Sequence, residues 1–483
     1  MSAELTQAWE LLLEKLSIRR QVIGWERGRP ARNAPQARSL CRIRLEIQFA
    51  PAALICGRDA RGPGQSLDAV RSRSQGADSV VAYGCVRFDS ITWVLQMNTV
   101  TVNKRGADRI RGGHLWIYRS DVVQVDAGAG GSVVVVRDQK GNFVGQAFFS
   151  DSSQIALRFL SHTEEPIDRE WWRQRILAAA GRRANIAPNT NAYRLVYTEG
   201  DLLSSIIIDR YDDVLVLQTL SQGSETIKPL LVDLLAELFA PRAIIERNDV
   251  RVRQHEGLEL IAGTLYGEAP AEFEIVQEGI RFLVAPLSGQ KTGSFLDQRE
   301  NRIAARAMAH GRALDCFTFA GAFALNLDGV CDSIVGIDIS AEAIASARKN
   351  AELNNITKVE FREANVFDAL REMETSGERF DTIVLDPPAF AKNRASVNAA
   401  ARGYKEINLR AIKLLNPGGI LVSCTCSYHM PEDLFLGIIA DAGKDAHRQL
   451  QLVEKRTQSS DHPILLGVPE TYYLKCVIAR VLD

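Results

Sequence analysis

No apolar run in this chain approaches the ~18 residues of a membrane-spanning helix, which argues against a protein of that kind. The start, Met1-Ser2-Ala3-Glu4, has an acid and no apolar segment behind it, so no secretory leader is expected. Cysteine is scarce, 8 in 483 residues, and positions 41, 56, 85, 316, 331, 424, 426 and 476 show no metal-ligand spacing. No metal centre is expected; a reduced, cytoplasmic protein with free thiols is. Neither sign of charge is in excess, since 58 Lys and Arg against 59 Asp and Glu leave −1. A chain of that balance can grip a polyanion only through local basic patches. What remains is ordinary for soluble globular protein, 46% hydrophobic and 24% charged. The length fits about two to four domains.

The first 96 residues differ in texture from the rest. They hold 14 Lys and Arg, of which 13 are Arg, against 9 Asp and Glu, a net of +5; the remainder carries 44 and 50, a net of −6. Gly24 to Arg44 is dense in Arg, Pro, Ala and Gly without a sustained period. Leu5, Trp9, Leu12, Leu13 and Leu16 stand near helical spacing. From Met97 the pattern turns to regular alternation. Two expectations follow for 1–96: translated sequence upstream of a start at Met97, or a basic, disordered RNA-binding arm.

Residues 97–168 read as a small β-barrel of five or six strands. Gly112 to Trp116 is a tight loop and Val133–Val136 a buried strand. Asp138–Asn142 is a hairpin turn, with strands at Phe143–Phe149 and Ile155–Leu160. Lys104, Arg105, Arg109 and Arg111 cluster at its opening, either as a solvated edge or as a phosphate-contacting rim. Residues 169–284 read as an α+β module. Helical spacing runs from Trp171 to Arg183 and from Thr226 to Phe239. Strands fall at Arg194–Val196, Ser204–Asp209, Val214–Thr219 and Ala243–Glu246. No catalytic constellation is visible there.

Residues 285–483 alternate strand and helix, which predicts an α/β fold with a doubly wound, Rossmann-like sheet. Strands are expected at Ala313–Phe317, Ser333–Asp338, Val359–Arg362, Asp381–Leu385, Ile420–Ser423 and Tyr472–Val481. Ser340 caps a helix to Asn350, and Gly418-Gly419 turns into its strand.

Ligands of such sheets sit outside the carboxyl ends of the strands. Asp338 follows Asp315 by 23 residues, a distance that suits a carboxylate gripping ribose hydroxyls. The turn between them, Phe317-Thr318-Phe319-Ala320-Gly321-Ala322, has one glycine and no Gly-x-Gly-x-x-Gly, so no pyrophosphate is cradled. S-adenosylmethionine, an adenosine without phosphate, needs no such loop. Asn365 stands where its amide oxygen could accept from an adenine amino group, or it caps a helix. Asp386-Pro387-Pro388 puts a carboxylate and a rigid turn at the end of one strand. Thr425-Cys426-Ser427 puts a thiol at the end of the next. Asp-Pro-Pro also serves enzymes that methylate exocyclic amines. The thiol separates the readings. Carbon 5 of a pyrimidine is a poor nucleophile until a thiolate adds to carbon 6. Asp386 near N3 would then stabilise charge and assist protonation. Buried strand cysteines are often small hydrophobes, which suits Cys316, Cys331, Cys424 and Cys476.

Several segments together resemble a known family. They are Gly289 to Asn301 (Gly-Gln-Lys-Thr-Gly-Ser-Phe-Leu-Asp-Gln-Arg-Glu-Asn), Phe317-Thr318-Phe319, Asp386-Pro387-Pro388, Arg402 to Asn408 (Arg-Gly-Tyr-Lys-Glu-Ile-Asn) and Thr425-Cys426-Ser427. Residues 97–483 thereby resemble the bacterial class I 23S ribosomal RNA 5-methylcytosine methyltransferases with an N-terminal PUA domain. The resemblance does not extend to 1–96. It implies a PUA barrel, a central α+β module and a methyltransferase domain, with Cys426 as nucleophile. It implies cofactor contacts from Lys291, Thr292, Phe295, Gln298, Asp315, Phe317, Gly321, Asp338, Ile339, Asn365, Val366 and Asp386. It implies RNA contacts from Phe390, Arg402, Tyr404 and Lys405 beside the barrel cations. The family usually carries Asp where this chain has Asn365. Two-cysteine RNA methyltransferases carry a second Cys after Asp386; here Pro388-Ala389 stands instead.

The expected function is therefore cytosine-C5 methylation of large-subunit ribosomal RNA with S-adenosylmethionine. The partner is 23S RNA, free or in an assembling subunit, with no membrane; a homodimer is left open. An amino-group methyltransferase and a silent RNA-binding assembly factor are the rivals.

Overall fold

The computed structural model describes residues 45–46, 81–82, 98–126, 130–186, 190–287, 289, 293–391 and 393–483. The chain divides into two units, Met1–Leu95 and Gln96–Asp483. In the first, the two-residue strands β1 (Leu45–Glu46) and β2 (Val81–Ala82) pair antiparallel. The expectations for 1–96 and for a start at Met97 otherwise lie outside the described residues.

The second unit opens with a six-stranded sheet, order β4-β8-β7-β6-β3-β5. Its strands are β3 (Thr99–Val102), β4 (Trp116–Tyr118), β5 (Val122–Val125), β6 (Val133–Asp138), β7 (Phe143–Phe149) and β8 (Ile155–Ser161). Val134, Val136, Ala147, Leu157 and Phe159 meet in one core, completed by Val468 from far down the chain. Helix α1 (Lys104–Arg111) packs Ala107 and Ile110 into this core. The sequence reading gave only strands and turns there. Two inward apolar residues in eight leave little periodicity to see, although Asn103 caps the helix by accepting from Gly106 N at 2.9 Å.

A central five-stranded sheet follows, order β13-β12-β11-β10-β9. It comprises β9 (Ala192–Tyr197), β10 (Ile206–Tyr211), β11 (Val214–Thr219), β12 (Ala243–Asn248) and β13 (Ile261–Gly267). Helices α2 (Arg169–Arg182), α3 (Gln222–Thr226) and α4 (Lys228–Phe239) accompany it. The helix expected over Thr226–Phe239 is α4, and the short α3, started by a Ser221–Ser224 capping box, precedes it and meets it at Ile227. A hairpin, β14 (Phe273–Gln277) and β15 (Ile280–Val284), leads onward.

The last part is a seven-stranded sheet, order β18-β17-β16-β19-β20-β22-β21. Its strands are β16 (Arg312–Cys316), β17 (Ser333–Asp338), β18 (Val359–Glu363), β19 (Phe380–Leu385), β20 (Leu415–Thr425), β21 (Leu450–Arg456) and β22 (Lys475–Val481). The first five in sequence are parallel; β22 runs antiparallel to both β20 and β21. Helices α5 (Arg299–Met308), α6 (Ala322–Asn326), α7 (Ala341–Leu353), α8 (Val366–Ser376), α9 (Val397–Leu414) and α10 (Glu432–Asp445) cover it. Alternate strand residues feed two cores. Ala313, Val384 and Val422 meet Phe323 and Ile344 on one face. Leu314, Ile383 and Leu421 meet Tyr404, Ile407 and Phe435 on the other. This is the doubly wound fold that the alternation predicts. Gly418 and Gly419 lie inside β20 rather than before it, Gly418 at φ 83°, where the pairing with β19 shifts register. Among the described residues no helix is long and apolar enough to cross a membrane.

Candidate functional site

Strand order reverses between β16 and β19, so the loops after these strands diverge and leave a crevice at their carboxyl ends. The loop after β16 is unusually wound. Phe317 (φ 65°), Phe319 (φ 50°) and Gly321 (φ 83°) all lie in the left-handed region. Such a backbone costs a side-chain-bearing residue about 1 kcal/mol or more, so something must hold it. Two carboxylates do. Asp315 Oδ2 accepts from the Thr318 hydroxyl at 2.6 Å and from Ala324 N at 2.9 Å. Asp338 Oδ2 accepts from Phe319 N at 3.0 Å, and its Oδ1 from Ser340 N at 2.9 Å. Gly321 is required, since a Cβ there would sit 2.9 Å from Phe361 Cζ.

Asp315 is 1% exposed, and its Oδ1 has no hydrogen-bond partner among the described residues. Burial pushes its carboxyl up to about 7, against the pull of Thr318 and the Ala324 amide. A buried, half-satisfied carboxylate asks for a cationic or N–H donor. Directly after Asp338, at the end of β17, Ile339 is 67% exposed, an apolar side chain on which an aromatic base can lie. Carboxylates, a phosphate-free loop and an apolar platform fit S-adenosylmethionine.

Other expected contacts fall differently. Asn365 caps α8, its Oδ1 accepting from Phe367 N at 2.9 Å, so the oxygen assigned to an adenine serves the helix. Val366 is 3% exposed with its side chain in the core; only its backbone can face a ligand. Phe295 meets Phe319 edge to face, centroids 5.0 Å apart. Gln298, expected at the cofactor, is buried and donates from Nε2 to Asp386 Oδ1 at 2.8 Å. Lys291 and Thr292 lie outside the described residues.

Asp386 follows β19 and Cys426 follows β20, strands paired in parallel with Leu385 opposite Ser423. The two motifs 40 positions apart thus become neighbours at one sheet edge. Cys426 is half-buried, its sulfur 4.0 Å from the Pro387 carbonyl oxygen. The other described thiols, Cys316, Cys331, Cys424 and Cys476, are buried. Burial raises the Cys316 thiol and holds Cys331 up to about 11. Cys426 is the accessible one among them.

Tyr404, expected at the RNA, is fully buried on α9, and this corrects the sequence reading. Its hydroxyl accepts from Thr425 and lies against Ser427, the residues on either side of Cys426. It supports the site from behind. Phe390, in the loop after Asp386, is half-buried and packs its ring on Tyr404, centroids 4.7 Å apart. Arg402 is exposed, and Lys405 pairs with Asp445 at 2.8 Å. The structural part of Thr425 and Ser427 escaped the sequence reading, although hydroxyl residues flanking a thiol were a usable sign.

Lys104, Arg105, Arg109 and Arg111 all sit on α1 rather than on a strand edge, and each is engaged. Lys104 pairs with Asp108. Arg109 reaches Asp121 at 3.2 Å, Arg105 reaches the same carboxylate at 2.5 Å, and Arg111 reaches Asp138 at 2.8 Å. The Arg111 guanidinium, with Asn142, holds Asp138 well below the usual carboxylate range.

The fold is that of a Rossmann-like methyltransferase preceded by a PUA-like domain. Residues 215–470 match the family of S-adenosylmethionine-dependent methyltransferases, and residues 100–162 match the PUA-like domain. The chain is 44% identical over 380 residues to the ribosomal RNA large subunit methyltransferase I of Tolumonas auensis, covering 76% of this chain and 96% of that one. It is 44% identical over 377 residues to the protein of that name from Shewanella amazonensis, covering 76% and 95%. The chain belongs to this family of S-adenosylmethionine-dependent methyltransferases. A Streptococcus mutans structure assigned as a SAM-dependent methyltransferase shares the fold at 20% identity, with a TM-score of 0.68 over 79% of this chain and 100% of that one.

Proposed function

We propose that the chain methylates carbon 5 of a cytosine in large-subunit (23S) ribosomal RNA, with Cys426 as nucleophile and Asp386 as its acid partner. The observation that carries this is the accessible thiol after β20 beside the carboxylate after β19. The Cys426 thiolate adds to carbon 6, forming a sulfur–carbon bond and making carbon 5 enamine-like. Asp386, held by Gln298 and carrying a proton, passes that proton to N3 as the sulfur–carbon bond forms and takes it back when that bond breaks. S-adenosylmethionine supplies the electrophilic methyl group that carbon 5 takes. Loss of the carbon 5 proton to solvent water then breaks the sulfur–carbon bond and restores both the base and the thiolate.

The substrate follows the relatives, which are named for large-subunit ribosomal RNA. The PUA-like match supports RNA as the ligand of residues 97–168. In this reading 169–284 forms the connecting module and 285–483 the catalytic domain, acting in the cytoplasm. An amino-group methyltransferase would have no use for a thiol held between two hydroxyl residues.

Cys426→Ala should abolish methyl transfer to ribosomal RNA and leave cofactor affinity within a few-fold. Wild-type protein should form a covalent adduct with RNA containing 5-fluorocytidine, because fluorine blocks the final proton loss. Normal turnover in the Ala variant would remove Cys426 from the chemistry. A digested product carrying the methyl on an exocyclic amine would replace the reaction.

A further inference from the structure

Lys475 is an anomaly. It opens β22, pairs with Thr425 across the strands and is 3% exposed. An ammonium so deeply buried needs an anion. Among the described residues it makes no ion pair. Its Nζ donates to the Tyr473 carbonyl at 3.3 Å and lies 4.8 Å from the centre of the Tyr472 ring. The acid nearest in influence, Glu432, is already taken by Lys455 at 2.6 Å and by the Tyr472 hydroxyl at 2.7 Å.

The residue after its strand partner is Cys426. From this placement we infer that Lys475 is a positioning residue for Cys426, its ammonium being the counter-charge that keeps the sulfur ionised. The titratable groups around the pair come from every neighbouring element. They are Asp386 after β19, Tyr404 on α9, Glu432 on α10, Tyr472 and Tyr473 before β22, and Cys424 and Cys476 within the strand pair. A thiolate at a partly buried sheet edge is stabilised by a nearby cation, and Lys475 is the buried one on the adjoining strand. Burial lowers the lysine's own pKa, while Glu432 and the Cys426 sulfur oppose that fall. The proton that leaves the thiol passes to solvent, so the ammonium takes part in no bond change.

The inference rests on Cys426 as nucleophile, yet it can be read without turnover. Full-length protein is alkylated with iodoacetamide across pH, and the rate at the Cys426 peptide is followed by mass spectrometry. Lys475→Met should raise the apparent thiol pKa by about one unit or more and slow alkylation near neutrality ~10-fold. Lys475→Arg, which keeps a fixed charge, should leave the profile at the wild-type position. Cofactor binding by calorimetry reports that each variant is folded. A Lys475→Met profile that superimposes on wild type overturns the inference. So does a shift in Lys475→Arg as large as that in Lys475→Met, which also decides the matter if the Met variant does not fold. Failure of the nucleophile reading looks different: methyl transfer survives in Cys426→Ala.

Discussion

The Thr425 hydroxyl donates to the Tyr404 hydroxyl at 2.7 Å, deep beneath the sheet edge. The same phenol lies 3.1 Å from the Ser427 hydroxyl, and Ser427 in turn accepts from Ala391 N at 3.2 Å. Ala391 belongs to the loop that follows Asp386. One buried tyrosine therefore ties the strand end bearing the thiol to the loop bearing the carboxylate.

Tyr404→Phe should keep the aromatic packing against Phe390 and Phe435 but lose both hydroxyl contacts. Misplacing a reacting group by about an ångström can lower turnover ~100-fold. A fall of ~10-fold or more in single-turnover rate, with cofactor affinity unchanged, is the expected outcome. A rate equal to wild type would show that Cys426 is held by other means.

Asp315 gives a pH dependence whose sign can be worked out. Its carboxyl stands at about 7 in the folded chain, above the 3.8 of an ordinary Asp. The folded state thus binds this proton more tightly than the unfolded state. The contribution to stability is complete below pH ~4 and lost as pH rises through ~7. A cationic group of the cofactor at Oδ1 favours the ionised form. Cofactor affinity and the melting-point rise it gives should both increase from about pH 6 to about pH 8 and then level off. Calorimetry should detect proton release over that window. Asp315→Asn should flatten the dependence; an unaltered slope in that variant would assign it to another group.

Asp338→Ala should weaken S-adenosylmethionine binding by about 1.5–3 kcal/mol, the scale of hydrogen bonds to a charged group. Part of that loss is indirect, since Asp338 also holds the Phe319 amide in the wound loop. Calorimetry with cofactor alone measures it. RNA binding should change little, and unchanged cofactor affinity would take Asp338 out of the site.

Arg105 and Arg109 share the fully buried Asp121 carboxylate. Replacing both with methionine leaves a buried charge with Asn103 as its remaining side-chain partner. Such losses destabilise by about 3 kcal/mol. Thermal melting should report it in the PUA-like domain before any change in RNA affinity appears. An RNA-affinity loss with normal melting would show that these arginines meet phosphate instead.

The parallel sheet was readable because buried strands leave apolar runs that end in turn signals, as at Asp381–Leu385 and Ser333–Asp338. Asp315, Asp338, Asp386 and Cys426 could be placed at or just after strand ends from sequence because motif position fixes where strands end. Side-chain assignments behind that edge were not. Tyr404 looks like an RNA-stacking aromatic on paper, and only the packing of α9 against β20 buries it. Gln298 and Asn365 carry amides that suit a ligand equally well, and the choice of a carboxylate or a helix end as partner is tertiary. Helix α1 escaped because five of its eight residues are charged and its apolar face is two residues wide.

Residues 461–470 look from outside like a place to cut or insert, with Leu466 95% exposed. Loop tips of that kind ordinarily tolerate both. Here the segment is tied both to the central module and to the PUA-like domain. Asp461 accepts from Arg194 N at 2.8 Å, and its carbonyl accepts from Arg183 at 2.6 Å, in the central module. Val468 fills the barrel core, and Glu470 meets His114 at 3.2 Å. Five residues further on the chain enters β22 at Lys475. Circular permutation or a tag placed at Leu466 should therefore behave like a severed tie rod. An engineer who chose the site by exposure alone would uncouple barrel, module and the sheet edge that carries Cys426 at once.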